Sequence, residues 1–296
     1  MASPATENQT GVRQRAEQLA ADLPPLLVAA ERVASTVVQG VHGRRRVGSG
    51  ETFWQFRRYQ GGDAAQAIDW RQSAKSQKVF VRENEWEAAQ SVWLWRDHSP
   101  SMAYASSPEI ERKLDRANLL LLALASLLVR GGEHVGLMGH DQNATGGRAS
   151  LGRIGALLTS DQPAGGSLPP PVRLPRHAQL VMFGDFLSPL EEIEATIKAF
   201  ASQGVPGHLL QVLDPAEEDL PFRGRTEFEG LEAEGRYIVG RVESLRTAYH
   251  DRMSARHQSL IDITRHAGWR FAAHRTDRPP QTALLALYGA LGEIGG

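Results

Sequence analysis

The sequence predicts an α/β protein: a doubly wound, mostly parallel sheet with small β-rich additions. Three observations carry this expectation. Short apolar runs (SVWLWRD, HVGLMGH, AQLVMFGDF, GHLLQVLD, WRFAAH) recur from Ser91 onward. Stretches of helical periodicity separate them, at the spacing of strand–helix–strand crossovers. The runs are apolar at consecutive positions, as in strands covered by helices on both faces.

From Val12 to Gln39 apolar residues recur at helical spacing around Pro24-Pro25, predicting two short helices or one broken helix ending at Gly40. Residues 41–82 hold nine Lys/Arg against three Asp/Glu, a balance of +6, with ETFWQFRRY, a turn at Gly61-Gly62-Asp63, and KVFVREN. That reads as a β-rich element over 41–90, between an N-terminal segment (1–40) and an α/β domain (91–296). In that domain a helix is expected to start at Ser107-Pro108-Glu109, run through Leu119 to Leu122 and stop at Gly131-Gly132. Further helices are expected at about 151–159, 188–203, 241–267 and 279–293. Residues 209–234 hold eight Asp/Glu and two Arg, a balance of −6, and alternate Phe222, Thr226, Phe228 and Leu231 around Gly224 and Gly230. This predicts a hairpin insertion at about 214–240.

Composition excludes several classes. With 296 residues, 41% hydrophobic and 23% charged, the chain can bury a core; its net charge of −1 argues against a nucleic-acid coat. The absence of cysteine removes disulfides, thiol nucleophiles and cysteine-bound metals. The longest apolar stretch, Leu119 to Val129, is shorter than the roughly 20 residues a spanning helix needs. The N-terminus lacks a secretory layout, so the expectation is a cytoplasmic protein with no membrane span. No Gly-Lys dipeptide, G-x-G-x-x-G or H-E-x-x-H occurs, which leaves no P-loop, dinucleotide fingerprint or zincin helix.

In a parallel sheet, ligands bind at the carboxyl ends of strands, which points to Asp97, His140, Asp185, Asp214 and His274. Asp97-His98-Ser99-Pro100-Ser101 offers a carboxylate and two hydroxyls in one turn, and Asp185 supplies a second carboxylate. Hard oxygen donors of this kind suit Mg²⁺ or Mn²⁺; the competing reading is a turn former after a strand. His98 either tunes this loop or faces solvent. Arg57 and Arg58, with Asp69 beside Trp70, read as an ionic brace for the β element or as a partner-binding face. Glu217 and Glu218 read as a solubilising loop or an acidic docking surface.

Several motifs in order carry a resemblance. FRRYQGGDAAQAIDWRQSAKSQKVFVRENE, the D-x-S-x-S loop followed by Met102, then GDF and LDPAEEDLPFRG closely resemble the bacterial domain-of-unknown-function family 58. The loop itself looks like the metal-ion-dependent adhesion site of von Willebrand factor A domains. The resemblance implies a von Willebrand A-like fold and a binding protein, not an enzyme, that works with a MoxR-class AAA+ ATPase in chaperone-like assembly. By the same resemblance Ser99 and Ser101 ligate Mg²⁺, Mn²⁺ or Ca²⁺ directly, with Asp97 and Asp185 holding it directly or through water. An acidic side chain of a protein ligand then fills the open position. The threonine that full adhesion sites add has no clean equivalent here; Ser167 and Thr145 are the candidates to replace it. Two alternatives remain open: a metal-free interaction scaffold, and a Mg²⁺-dependent phosphohydrolase with Asp97 as nucleophile. The second lacks a carboxylate two residues on, where Ser99 stands.

Overall fold

The computed structural model describes residues 25–41, 53–58, 70–75, 78–84, 91–160, 166–232 and 235–292. Helix α1 (Pro25–Val41) opens on the second proline of the pair, where a missing N–H costs nothing. Strand β1 (Phe53–Arg58), a helical turn α2 (Trp70–Ser73) and strand β2 (Phe80–Asn84) follow, with β1 and β2 paired antiparallel. The expected turn at Gly61-Gly62-Asp63 and the helical pattern before Pro25 lie outside the described residues.

The α/β unit runs β3 (Ser91–Arg96), α3 (Lys113–Arg130), β4 (His134–Leu137), α4 (Arg148–Thr159), β5 (Ala178–Gly184), α5 (Leu190–Ala201) and β6 (Gly207–Leu213). After a short helix α6 (Pro215–Asp219), the hairpin β7 (Thr226–Glu229) and β8 (Arg236–Val239) interrupts the alternation. Helix α7 (Arg246–His266), strand β9 (Arg270–Arg275) and helix α8 (Pro280–Gly292) complete it. Five strands pair in parallel in the order β4-β3-β5-β6-β9. The chain leaves β3 for one neighbour, β4, and then crosses back to the other, β5. The order therefore reverses at β3/β5, and the crevice at their carboxyl ends is the natural ligand position.

The sheet is doubly wound because its side chains alternate between two cores. Val92, Leu94, Val181, Phe183, Leu210 and Val212 face the core built with α1, α3, α4 and α8. Trp93, Trp95, Leu180, Met182 and Leu209 face the core built with α5 and α7. Helix α3 is the central element of the first: nearly everything from Lys113 to Leu128 is buried. The N-terminal helix is part of this core, with Leu27, Ala30, Ala34 and Val37 buried.

One expected boundary differs. Ser107-Pro108-Glu109 does not start α3; those residues form a turn in which the Ile110 amide donates to the Ser107 carbonyl. The helix begins five residues later at Lys113, whose amide donates to the Tyr104 carbonyl. The intervening loop crosses to β6, where the Ser106 amide donates to Asp214 Oδ2 at 2.9 Å.

Gly207, the first residue of β6, lies against the indole of Trp269. A Cβ there would come within 2.5 Å of the indole ring, which is itself held by Nε1 donating to the Val205 carbonyl. Gly207→Ala should therefore cost about 1–3 kcal/mol by overpacking. The urea midpoint should fall with an unchanged slope.

Candidate functional site

Three neighbouring strands, β3, β5 and β6, end in a buried aspartate: Asp97 and Asp214 are 0% exposed and Asp185 2%. Each turns the chain in the same way, its carboxylate accepting from the amide two residues on. Ser99 N donates to Asp97 at 2.8 Å, Leu187 N to Asp185 at 3.2 Å, and Ala216 N to Asp214 at 2.8 Å. Aspartate is suited to this local turn. Where the three differ is the second oxygen. That of Asp214 accepts from Ser106 N, and that of Asp185 from Ser101 Oγ and Lys113 Nζ at 2.6 and 2.8 Å. Asp97 Oδ2 is buried and has no partner.

The loop after Asp97 is held by the core and by its own hydroxyls. Met102, fully buried in the first core, anchors a 3-10 turn over Pro100–Ala103. That turn brings Ser99 Oγ to 3.0 Å from Ser101 Oγ, and Ser101 Oγ on to Asp185. Gly184 leaves room for it: a Cβ there would lie 2.8 Å from Asp97 Cβ and 3.0 Å from its Oδ2. Burial pushes the Asp97 carboxyl up to about 7, and the Asp185 charge adds to the push. Glu232 in the β7–β8 turn adds a smaller one.

Lys113 is the residue sequence reasoning missed. Its side chain is 0% exposed, and Nζ lies 2.8 Å from Asp185 Oδ2 and 2.5 Å from Glu217 Oε1. Burial alone would lower its pKa, but the two carboxylates outweigh that and raise it. Glu217 is therefore turned inward. It closes the capping box of α6, its Oε2 accepting from Asp214 N at 2.9 Å. Glu218 likewise pairs within the domain, with Arg275 at 3.1 Å. Both residues precede the hairpin, and each has an ion pair within the domain.

The Asp185 loop is held from two further directions. Gln211 Nε2 donates to the Asp185 carbonyl at 2.8 Å. Arg256, reaching from α7, donates to the carbonyls of Phe186 and Ser188. This fixes buried Phe186 at φ 51°, an uncommon conformation outside glycine.

The remaining predicted residues are placed as follows. Ser167 is tied to the loop after Asp185: its hydroxyl accepts from Ser188 Oγ at 2.7 Å, and the preceding Gly166 carbonyl accepts from His98 N. Thr145 is elsewhere, bridged to Val135 at the β4 edge. His98 does not simply face solvent. Its Nδ1 lies 3.1 Å from Arg96 Nη2, and burial with the Arg96 charge lowers its pKa to about 4. His274 pairs with Arg116 at 2.9 Å. Arg57 and Arg58 lie on β1 opposite Val81 and Phe80, and Asp69 is outside the described residues.

Two carboxylates and two hydroxyls form a hard, oxygen-only donor set that fits Mg²⁺ or Mn²⁺. The orphaned Asp97 oxygen is the acceptor such an ion would satisfy. Among the described residues no group of three or more histidine, aspartate or glutamate side chains forms a metal cluster. Any ion here therefore depends on the serines.

The model of the family described as "Protein of unknown function DUF58" matches residues 55–259. Uncharacterized proteins of Mycobacterium bovis (Mb1516) and Mycobacterium tuberculosis (Rv1480) are 28% identical over 280 residues, covering 88% of this chain and 86% of theirs. Among solved structures, the conserved hypothetical protein BatB from Bacteroides thetaiotaomicron aligns with TM-score 0.43 at 14% identity, over 70% of this chain and 98% of that one. An aerotolerance-related membrane protein from Bacteroides fragilis aligns with TM-score 0.40 at 17% identity, over 69% and 100%. No helix among the described residues is long and apolar enough to cross a membrane.

Two outcomes are expected. Asp97 titrates near 7 when folded and near its ordinary 3.8 when unfolded, so between these values the folded chain holds the extra proton. Stability of metal-free protein should fall as pH rises from about 4 to 7, by as much as about 4 kcal/mol. Asp97→Asn should flatten that part of a pH series of urea melts. Separately, Lys113→Met strands two buried carboxylates and should cost about 3–5 kcal/mol in the same assay.

Proposed function

The chain belongs to the DUF58 family, and on that premise we propose that it is a non-catalytic, metal-dependent protein-binding module. The observation that carries the reading is the second oxygen of Asp97, sealed at the β3/β5 switch point without a donor while its two counterparts are satisfied. Asp97, Ser99, Ser101 and Asp185 would hold a divalent ion, with Ser167 tied to the loop after Asp185. A bound Mg²⁺ or Mn²⁺ supplies an open coordination position that an acidic side chain of a partner can fill. The chain's own part is to fix the geometry. Asp97 and Asp185 are locked by the amides of Ser99 and Leu187, and the two hydroxyls are held 3.0 Å apart by the turn that Met102 anchors.

The non-catalytic reading is supported by what surrounds Asp97. A phosphohydrolase nucleophile needs a proton donor for its leaving group. The residue two positions on is Ser99, whose hydroxyl is engaged with Ser101. The partner ATPase, of the MoxR class, follows from the motif resemblance, and the absence of a P-loop assigns any ATP hydrolysis to that partner. This reading places the work in the cytoplasm, where ATP is available, in chaperone-like assembly.

A second reading is favoured by Lys113. Its ammonium already serves Asp185, so half the carboxylate pair is neutralised without any ion. In this reading the loops form a metal-free interaction scaffold.

Calorimetric titration of MnCl₂ and MgCl₂ into the full chain separates the two. Saturable one-site binding, lost in Asp97→Ala and in Ser99→Ala with the fold retained by circular dichroism, is the expected result. If neither ion binds, alone or with an acidic peptide added, the scaffold reading replaces the metal-dependent one.

A further inference from the structure

A buried lysine in contact with a carboxylate of a candidate cation site is a competitor for that carboxylate. Lys113, the first residue of α3, has 0% side-chain exposure and is bonded at Nζ to carboxylates from two separate segments. Asp185 Oδ2 receives both this ammonium, at 2.8 Å, and the Ser101 hydroxyl, at 2.6 Å. Asp185 Oδ1 receives the Leu187 amide. Both oxygens of Asp185 are thus served from within the chain, in contrast to the orphaned Oδ2 of Asp97. Glu217 reaches this arrangement only through the ammonium, since its other oxygen is spent on the amide of Asp214.

We propose that Lys113 sets the affinity of the Asp97–Ser99–Ser101–Asp185 site, acting as a built-in cation that shares Asp185 with the bound divalent ion. This rests on the metal-dependent reading above and adds the element that tunes it. Like charges a few ångströms apart in a buried pocket repel strongly. A divalent ion held here would share Asp185 with this fixed positive charge and with the Ser101 hydroxyl. The consequence is a weakly held, exchangeable ion. Glu217 moderates the effect by drawing part of the ammonium's charge away from Asp185.

The two members of the pair should then act in opposite directions, which a merely structural role would not produce. Glu217→Gln is isosteric and keeps one oxygen for the Asp214 amide; its NH2 then faces Lys113, whose ammonium is left to Asp185. It should weaken Mn²⁺ binding by about 3–10-fold. Lys113→Met combined with Glu217→Gln removes one charge of each sign and leaves Asp185 with only the Ser101 hydroxyl and the Leu187 amide, open to the ion. It should bind Mn²⁺ at least about 10-fold more tightly than wild type. Calorimetry on the full chains reads the dissociation constants, and thermal melts in EDTA check the fold. Measurable wild-type binding with both variants unchanged, or both shifted the same way, overturns the role of Lys113 and leaves the metal-dependent reading standing. Absence of binding in all three chains overturns both. If the double variant fails to fold, a Glu217→Gln chain that binds as well as or better than wild type is sufficient to reject the inference.

Discussion

A carboxylate removed from water has to find donors, and this molecule imposes that demand at the ends of three adjacent strands. Asp97, Asp185 and Asp214 are each buried, and the loops beyond them are shaped by how the demand is met. The amide two residues on answers it first in every case. What answers it second decides the architecture of this end of the sheet. Ser106 brings the long β3–α3 loop across to β6, Ser101 ties the β3 turn to β5, and Lys113 ties α3 to both β5 and α6. A net of side chains thus joins the three strand ends, and of the three carboxylates the one left open is Asp97.

Each face of the sheet carries an apolar core, but the helices over the two faces are anchored differently. The face under α3 is apolar and dense, with Leu120, Leu121, Leu122 and Leu124 fully buried. Burial of that kind stabilises without direction. Over the other face lies α7, where Leu260 and Thr264 are the buried residues. It is joined to the site end by polar reach: Arg246 to the carbonyls of Leu220 and Phe222, Tyr249 to that of Glu217, and Arg256 to those of Phe186 and Ser188.

Much of this was legible in the sequence, for identifiable reasons. Strands buried on both faces leave apolar runs too conspicuous to miss, and the strands within SVWLWRD and AQLVMFGDF stop one and two residues before the runs do. The D-x-S-x-S loop is local, so Asp97, Ser99 and Ser101 were readable together, and GDF placed Asp185 at the neighbouring strand end. Lys113 was not readable in the same way, because its partners lie 72 and 104 positions away. It also sits in a stretch, ERKLDR, whose charge resembles a solvated helix start. One signal was present: Lys113 is in register with Ala117, Leu120, Leu121 and Leu124, the buried stripe of α3. The start signal at Ser107 was obscured for the opposite reason. Its local chemistry is that of a helix cap, but the loop is needed to span from β3 to Asp214.

The attachment of α7 has an evolutionary side. A helix fixed by apolar interlocking restricts most residues on its inner face, since each must fill a given volume. A helix fixed by a few long polar side chains on main-chain carbonyls restricts only those few, because every residue type presents the same carbonyl to them. On α7 that leaves Arg246, Tyr249, Arg256, His257, Leu260, Ile263 and Thr264 answerable to the fold. Exposed positions such as Asp251, Arg252, Ser254 and Gln258 are free to drift. Related chains can thus acquire new outward-facing chemistry on this helix, and with it new partners, without disturbing the strand ends beneath.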